Sequence, residues 1–489
     1  MAQNSKTLVK GASWTVAANL AKIMSGILVL PLLARVLTAS DFGLMQMAMP
    51  VILLSMVFND AGIGPALVRA EKVSKSLWST ALWTNVMIGL VLAVLVILLA
   101  PLMALLYSTT DVVPILMALS ALCLFQTFGI VPFAWLQREM KFKSIAGADI
   151  LGHASGILVA VILAFNGAGV WALVWQQLTI FIVRTTALWI AAHPPVMIAF
   201  VFDELKPIIS FSVSVTLSNL VNLVGRNGDY VILGSVAGAT ALGFYSLAYR
   251  LMLMPVQVFS WGISAILLPG MSAIQADRAR LAAASLRVYQ LVSLITFPIM
   301  AGAWALSGPL VMVVLGSKMQ PVAELLAILA AVGAMQSMSS SHGPLFMAIG
   351  RADVMFRWSL FVNTVTVIAF LIGARWGAVG VARAYLIMNL VLAPPGYYIL
   401  FRLIELPMRT FVSAILPTTL VAILMAILVR YASTYLVELG VSDLGILLIC
   451  VPLGAAIYGL GVLAVAKPAL GIALDAARQV LSRKEAVAN

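Results

Sequence analysis

Three polar stripes, each carrying a basic residue, stand out in an otherwise apolar chain of 489 residues. Thr15, Asn19, Lys22 and Gly26 recur at helical spacing, which puts Lys22 on a polar face. Ser212, Asn219, Asn222, Arg226 and Asp229 fall within an arc of about 100° when each residue advances about 100°. Ser246, Arg250, Gln257, Trp261 and Ser264 repeat the pattern. An ionisable side chain at mid-membrane depth costs about 2.5–3.5 kcal/mol on insertion scales, so each of these is a candidate site. Arg226 has Asp229 one turn away as an internal partner. Lys22 and Arg250 have no acidic residue three or four positions away, and are expected to face a water-filled cavity that receives an anion. A diphosphate would gain several charge-assisted hydrogen bonds there in low dielectric. Asn19, Asn219, Asn222 and Gln257 add amides to the same expected substrate site. Arg184 and Arg383 also lie in apolar segments without local partners, but closer to a membrane face. Asp60, Asp149, Asp229 and His153 are the candidates for ion coupling if H+ or Na+ drives a reaction, and no metal or other cofactor is expected. Cys123 and Cys450 are far apart and form no ligand or redox motif.

The elements that position these residues are apolar runs of membrane-crossing length. A helix needs roughly 20 apolar residues to cross a hydrocarbon core about 30 Å thick, and only helices or closed barrels satisfy every backbone hydrogen bond there. With 63% hydrophobic residues, 9% charged and a mean hydropathy of +1.10, the chain reads as an all-α integral membrane protein of about fourteen transmembrane helices. Lys and Arg concentrate in alternate gaps. If the N-terminus is cytoplasmic, 20 of the 29 lie on the cytoplasmic side, four (Arg35, Lys318, Arg375, Arg430) lie opposite, and five sit inside spans. Cytoplasmic loops retain Lys and Arg, so both termini are expected inside. The net charge of +12 is then a topology signal with some attraction to anionic lipid, and nucleic acid is not an expected partner. The first apolar segment is too long for a cleavable signal peptide and contains Lys22, so it reads as a permanent first helix.

The connections between spans leave no room for a soluble domain. The sequence has no G-x-x-x-x-G-K-[ST] phosphate loop, no H-E-x-x-H helix and no Gly-x-Ser-x-Gly elbow, so ATP hydrolysis and hydrolase chemistry are not expected.

Two stretches repeat. Val36-Leu37-Thr38-Ala39-Ser40-Asp41-Phe42-Gly43 parallels Val236-Ala237-Gly238-Ala239-Thr240-Ala241-Leu242-Gly243, and Asn166-Gly167-Ala168-Gly169-Val170 parallels Trp376-Gly377-Ala378-Val379-Gly380-Val381. Both marks align helix n with helix n + 6 in the same orientation. Two parallel six-helix repeats plus two C-terminal helices are therefore expected, as in duplicated transporter folds. The expected boundaries are an N-terminal lobe over 1–192, a cytoplasmic linker over 193–206, a second lobe over 207–402, two extra helices over 403–466 and an amphipathic cytoplasmic tail over 467–489.

With these marks in order, the chain resembles the polysaccharide transporters of the superfamily that also holds multidrug extruders and lipid II flippases. The resemblance is carried by Leu33-Ala34-Arg35-Val36-Leu37 with Asp41-Phe42-Gly43-Leu44, by Asp60-Ala61-Gly62-Ile63 and by Leu136-Gln137-Arg138-Glu139-Met140-Lys141-Phe142. Gly243-Phe244-Tyr245-Ser246-Leu247-Ala248-Tyr249 with Pro255, and Leu315-Gly316-Ser317-Lys318, complete it. It implies a multi-pass protein of the bacterial inner membrane that flips undecaprenyl-pyrophosphate-linked oligosaccharide for exopolysaccharide, capsule or O-antigen synthesis. It further implies alternating access through a basic cavity, and a polysaccharide polymerase and export machinery as partners. A multidrug cation antiporter or a lipid II-type flippase is the alternative that the same resemblance allows.

Overall fold

The computed structural model describes residues 14, 19, 21–26, 28–59, 63–70, 73–197, 200–201, 206–261, 271, 274–465 and 471, with backbone alone at 59, 206–226 and 259–261. Asp60 and, apart from Gly471, the expected tail over 467–489 fall outside the described residues. By contacts the chain forms two compact units, Met1–Ser246 and Leu247–Asn489.

The first unit is a bundle of α1 (Ala39–Asn59), α2 (Ile63–Arg69), α3 (Lys75–Tyr107), α4 (Val112–Leu119), α5 (Ala121–Arg138), α6 (Phe142–Phe165), α7 (Val170–Ala192) and most of α8 (Lys206–Pro255), preceded by helical residues at 21–26 and 28–36. Polar residues fix where these helices start and stop. Thr38 and Asp41 form a reciprocal cap: the Thr38 N–H donates to Asp41 Oδ2 at 2.8 Å, and the Asp41 N–H donates to Thr38 Oγ1 at 3.2 Å. This is capping-box geometry, and it satisfies N–H groups that the first turn of a helix leaves open. Arg138 closes the far end of α2 by donating from Nη1 to the Leu67 carbonyl at 2.7 Å and the Val68 carbonyl at 3.3 Å.

Near Gly238, with φ 78° and ψ −179°, the long helix α8 breaks into two arms. Only glycine takes that backbone conformation without steric cost, so the fold-back is written into one residue. It brings Tyr245 from the second arm to Asp229 on the first, and the phenol donates to the carboxylate at 3.0 Å. It also brings the stretches around Gly43 and Gly243 face to face. A Cβ on Gly43 would run into the backbone carbonyl of Ala239, and a Cβ on Gly243 into that of Ala39.

The second unit comprises α9 (Arg278–Ala305), α10 (Ser307–Val314), α11 (Val322–Ser339), α12 (His342–Ala348), α13 (Ala352–Gly373), α14 (Gly377–Leu403), α15 (Met408–Glu438) and α16 (Asp443–Val465). Here α9 packs on α11 and α15, and α13 on α14. Tyr289, His342, Tyr397, Phe401 and Phe411 form an aromatic core, with the His342 and Tyr397 rings 4.6 Å apart at 89°. After Pro255 the chain widens into a π-helical turn over Val256–Trp261 that carries Gln257.

Among the described residues, eleven stretches are long and apolar enough to cross a membrane, and one of them, Ala352–Leu403, contains both α13 and α14. Large apolar side chains such as Leu98, Leu105, Phe165, Leu448 and Leu460 stay exposed along them. Water would make such faces costly, whereas a hydrocarbon solvent accepts them. The protein is an all-α, multi-pass integral membrane protein.

Candidate functional site: an intramembrane ion cluster

The site is assembled on the closest helix pair of the first unit. Gly152 and Gly156 stand four apart on α6, so one face of that helix has no side chains over a full turn. A Cβ on Gly152 would lie 2.8 Å from the Ile180 carbonyl oxygen, and one on Gly156 would lie 2.8 Å from the Gln176 carbonyl oxygen, both on α7. This approach of backbones lets a short aspartate reach across. One turn before Gly152, Asp149 Oδ1 accepts from Arg184 Nε on α7 at 2.6 Å. Its other oxygen, Oδ2, meets Lys22 Nζ from the N-terminal helical stretch at 3.0 Å. Lys22, which has no acidic residue three or four positions away, thus has its partner on another helix, beyond the reach of any i, i+4 rule.

Asp149 sits seven residues into α6, about 10 Å of helical rise from its start, and Arg184 a similar depth from the end of α7. At that depth, two cations and one carboxylate leave a net charge of +1. The carboxylate is the innermost member, with 11% of its side chain exposed, against 23% for Arg184 and 30% for Lys22. The Arg184 guanidinium also lies 5.5 Å from the centroid of the Phe133 ring, a cation–π contact that fixes its orientation. His153, one turn beyond Asp149, bonds through Nδ1 to the Asp149 carbonyl at 2.9 Å. A carbonyl only accepts, so Nδ1 carries a proton, and in the neutral ring Nε2 is the acceptor.

The remaining sequence candidates are distributed differently. Asp229 is buried and accepts from the Tyr245 hydroxyl and, at 2.9 Å, from the Tyr230 N–H. The side chains of Asn219, Asn222 and Arg226 lie outside the described residues, as does Thr15. Asn19 is exposed. In the second unit, Arg250 is exposed and Gln257 half-buried. Arg383 pairs with Glu324 at 3.4 Å, both largely exposed. Next to Arg250, the Tyr249 ring stacks on Tyr385 at 6.5 Å, and Gln336 Nε2 donates to the Tyr385 hydroxyl. Sequence reasoning placed Arg184 below Lys22 and left out Gln336 and Tyr385. The signal for Arg184 was present in the run Asp149-x-x-Gly152-x-x-x-Gly156, a charge in line with a small-residue stripe. Nothing comparable marks Gln336. Among the described residues, no group of three or more His, Cys, Asp or Glu side chains could hold a metal ion.

Long lipid-facing helices around an ion cluster at membrane depth define a polytopic membrane protein with a buried polar site. Residues 32–324, more than half of the chain, match the family described as "Polysaccharide biosynthesis protein". The chain belongs to this family, within the superfamily of multidrug, lipid-linked oligosaccharide and polysaccharide exporters. It is 26% identical over 429 residues to the succinoglycan biosynthesis transport protein ExoT of Rhizobium meliloti, covering 88% of this chain and 87% of that one. It is 25% identical to the lipopolysaccharide biosynthesis protein WzxC of Escherichia coli, covering 81% of each. Teichuronic acid biosynthesis protein TuaB of Bacillus subtilis is 26% identical, over 86% of this chain and 88% of its own length. Among solved structures, the lipid II flippase MurJ in an inward closed conformation superposes with a TM-score of 0.74 at 16% identity, over 93% of this chain and 98% of that one. An inward-facing multidrug MATE transporter gives a TM-score of 0.61 at 16% identity, over 78% and 96%. These two likenesses establish the shared fold.

Proposed function

We propose that this protein flips an undecaprenyl-pyrophosphate-linked oligosaccharide from the cytoplasmic to the periplasmic leaflet of a bacterial inner membrane, by alternating access through a basic cavity. The flipped unit would feed a polysaccharide polymerase and export machinery. The observation that carries this reading is the Lys22–Asp149–Arg184 cluster, whose excess positive charge lies at membrane depth with its lysine the most exposed member. An isolated intramembrane charge is expensive, and a diphosphate headgroup is a ligand that offsets it. Arg250, Arg226, Asn19, Asn219, Asn222 and Gln257 complete the proposed substrate contacts. Proton or sodium coupling falls to Asp60, Asp149, Asp229 and His153. The family membership and the names of the relatives support a glycan cargo.

The proposal includes fourteen helices, with both termini cytoplasmic, in two six-helix repeats and a terminal pair. The expected lobe boundaries at 1–192 and 207–402 belong to it. The MATE-like fold keeps a second reading alive, extrusion of a cationic drug, and the MurJ-like fold a third, a lipid II-type cargo. A cation would meet repulsion at the site, which favours the anionic cargo.

The test is the sidedness of lipid-linked oligosaccharide in cells producing wild-type protein, Lys22→Ala, Arg184→Ala or Arg250→Ala, alongside retention of a cationic dye. Flipping predicts that the variants insert at normal levels, that glycolipid accumulates on the cytoplasmic leaflet, and that dye is unaffected. Normal glycolipid distribution with raised dye retention would sink the proposal in favour of drug extrusion.

A further inference from the structure

We infer that Asp149 is a built-in competitor for the substrate's diphosphate: it occupies both cations in the empty carrier, and the arriving anion takes Lys22 from it. This rests on the proposed reading of the cluster as a diphosphate site, and adds how that site is kept reversible.

The two ion pairs differ in rigidity. The Asp149–Arg184 pair spans α6 and α7 at the point where Gly152 and Gly156 bring the backbones together, and Phe133 braces the guanidinium. Lys22 reaches the same carboxylate from a third helical stretch, on a flexible four-carbon stem, and is the most exposed of the three. An anion that reaches the cluster past its least buried member meets Lys22 first, and the bond it can break at least cost is Lys22–Asp149. Arg184 keeps hydrogens on its terminal nitrogens, because the pair with Asp149 runs through Nε. It can hold a phosphate oxygen while still bound to the aspartate.

Charge arithmetic gives the consequence. With Asp149 ionised, a doubly charged diphosphate diester joins a cluster of net +1. Without that carboxylate it would join a cluster of net +2 and be held far more tightly. A carrier gains nothing from an anion it cannot release, because binding the bound state too well lengthens its residence time. The carboxylate also spares the empty carrier from holding two unneutralised cations side by side in low dielectric. Asp149 is thus a positioning residue that lowers affinity and raises turnover.

The experiment uses the full chain in nanodiscs of neutral lipid, with inorganic pyrophosphate as the probe, titrated calorimetrically at fixed ionic strength. Asp149→Asn is expected to bind pyrophosphate about ten- to a hundredfold more tightly than wild type, as close charge pairs at binding sites do. The same variant should export glycan more slowly in cells. Tighter binding with slower export is a split that loss of structure alone does not produce. Asp149→Asn that folds and binds no more tightly than wild type would overturn the inference while leaving the diphosphate site intact. If Asp149→Asn does not fold, the comparison moves to Arg184→Gln against Arg184→Gln/Asp149→Asn, where removing the carboxylate leaves only one cation to accommodate. The double variant should bind at least tenfold more tightly than the single, and equal affinities would overturn the inference. Absence of pyrophosphate binding by wild type and every variant would instead refute the reading of the site on which the inference depends.

Discussion

Asp149 can serve two cations because its oxygens face different helices, and neither partner is near it in sequence. Local spacing rules see one turn ahead and one behind, so Lys22 looked unpartnered and Arg184 looked peripheral. Proximity in space came from a glycine stripe whose effect is on a neighbouring helix. The same limit explains why Gln336 and Tyr385 went unnoticed, since neither belongs to a charged stripe. The capping residues were legible as family marks but not as chemistry. Asp41 and Arg138, read as parts of motifs, prove to be the groups that terminate helices. Replacing Asp41 by Ala should cost about 1 kcal/mol of stability, the usual range for a lost cap. Arg138→Ala should cost more, about 1–3 kcal/mol, because it leaves part-buried carbonyls of α2 without their donor. Thermal unfolding of the two variants in detergent checks both the loss and the order.

At the level of elements, apolar runs located the helices well because the bilayer imposes one length on all of them. Breaks inside the runs were harder to see. The apolar run Val112–Arg138 is α4 followed by α5, with a step at Ser120, whose N–H still bonds the Leu116 carbonyl at 2.9 Å. No Gly or Pro marks that step, so no breaker signal existed. The two apolar runs on either side of Gly238 are the two arms of α8, and the glycine between them is the one break that a residue type did mark; 262–270 lie outside the described residues. The α6–α7 contact makes its own prediction. Gly156→Leu should separate the helices and destabilise the protein by about 1–3 kcal/mol, the range for overpacking a filled interface. Gly147→Leu is the control, since a Cβ at Gly147 meets nothing within 4 Å. A thermal shift that is the same for both variants would contradict the close-packed interface.

For the whole molecule, the alternation of basic gaps predicts sidedness. Cysteines introduced near Lys75 and Lys318 should react with an impermeant reagent from opposite faces of the membrane, and labelling of both from one face would refute the proposed topology. The reciprocal seat of Gly43 on Ala239 and Gly243 on Ala39 carries a genetic consequence. Two positions that are 200 residues apart share a single gap, so substitutions there cannot act independently. Once Gly43→Ala has wedged the contact open, Gly243→Ala has little left to disturb. The pair should show strong epistasis, with a combined loss well below the sum of the two single losses. A selection for restored export in the Gly43→Ala background should then return compensating changes clustered around residues 239–243, far along the gene from the original lesion.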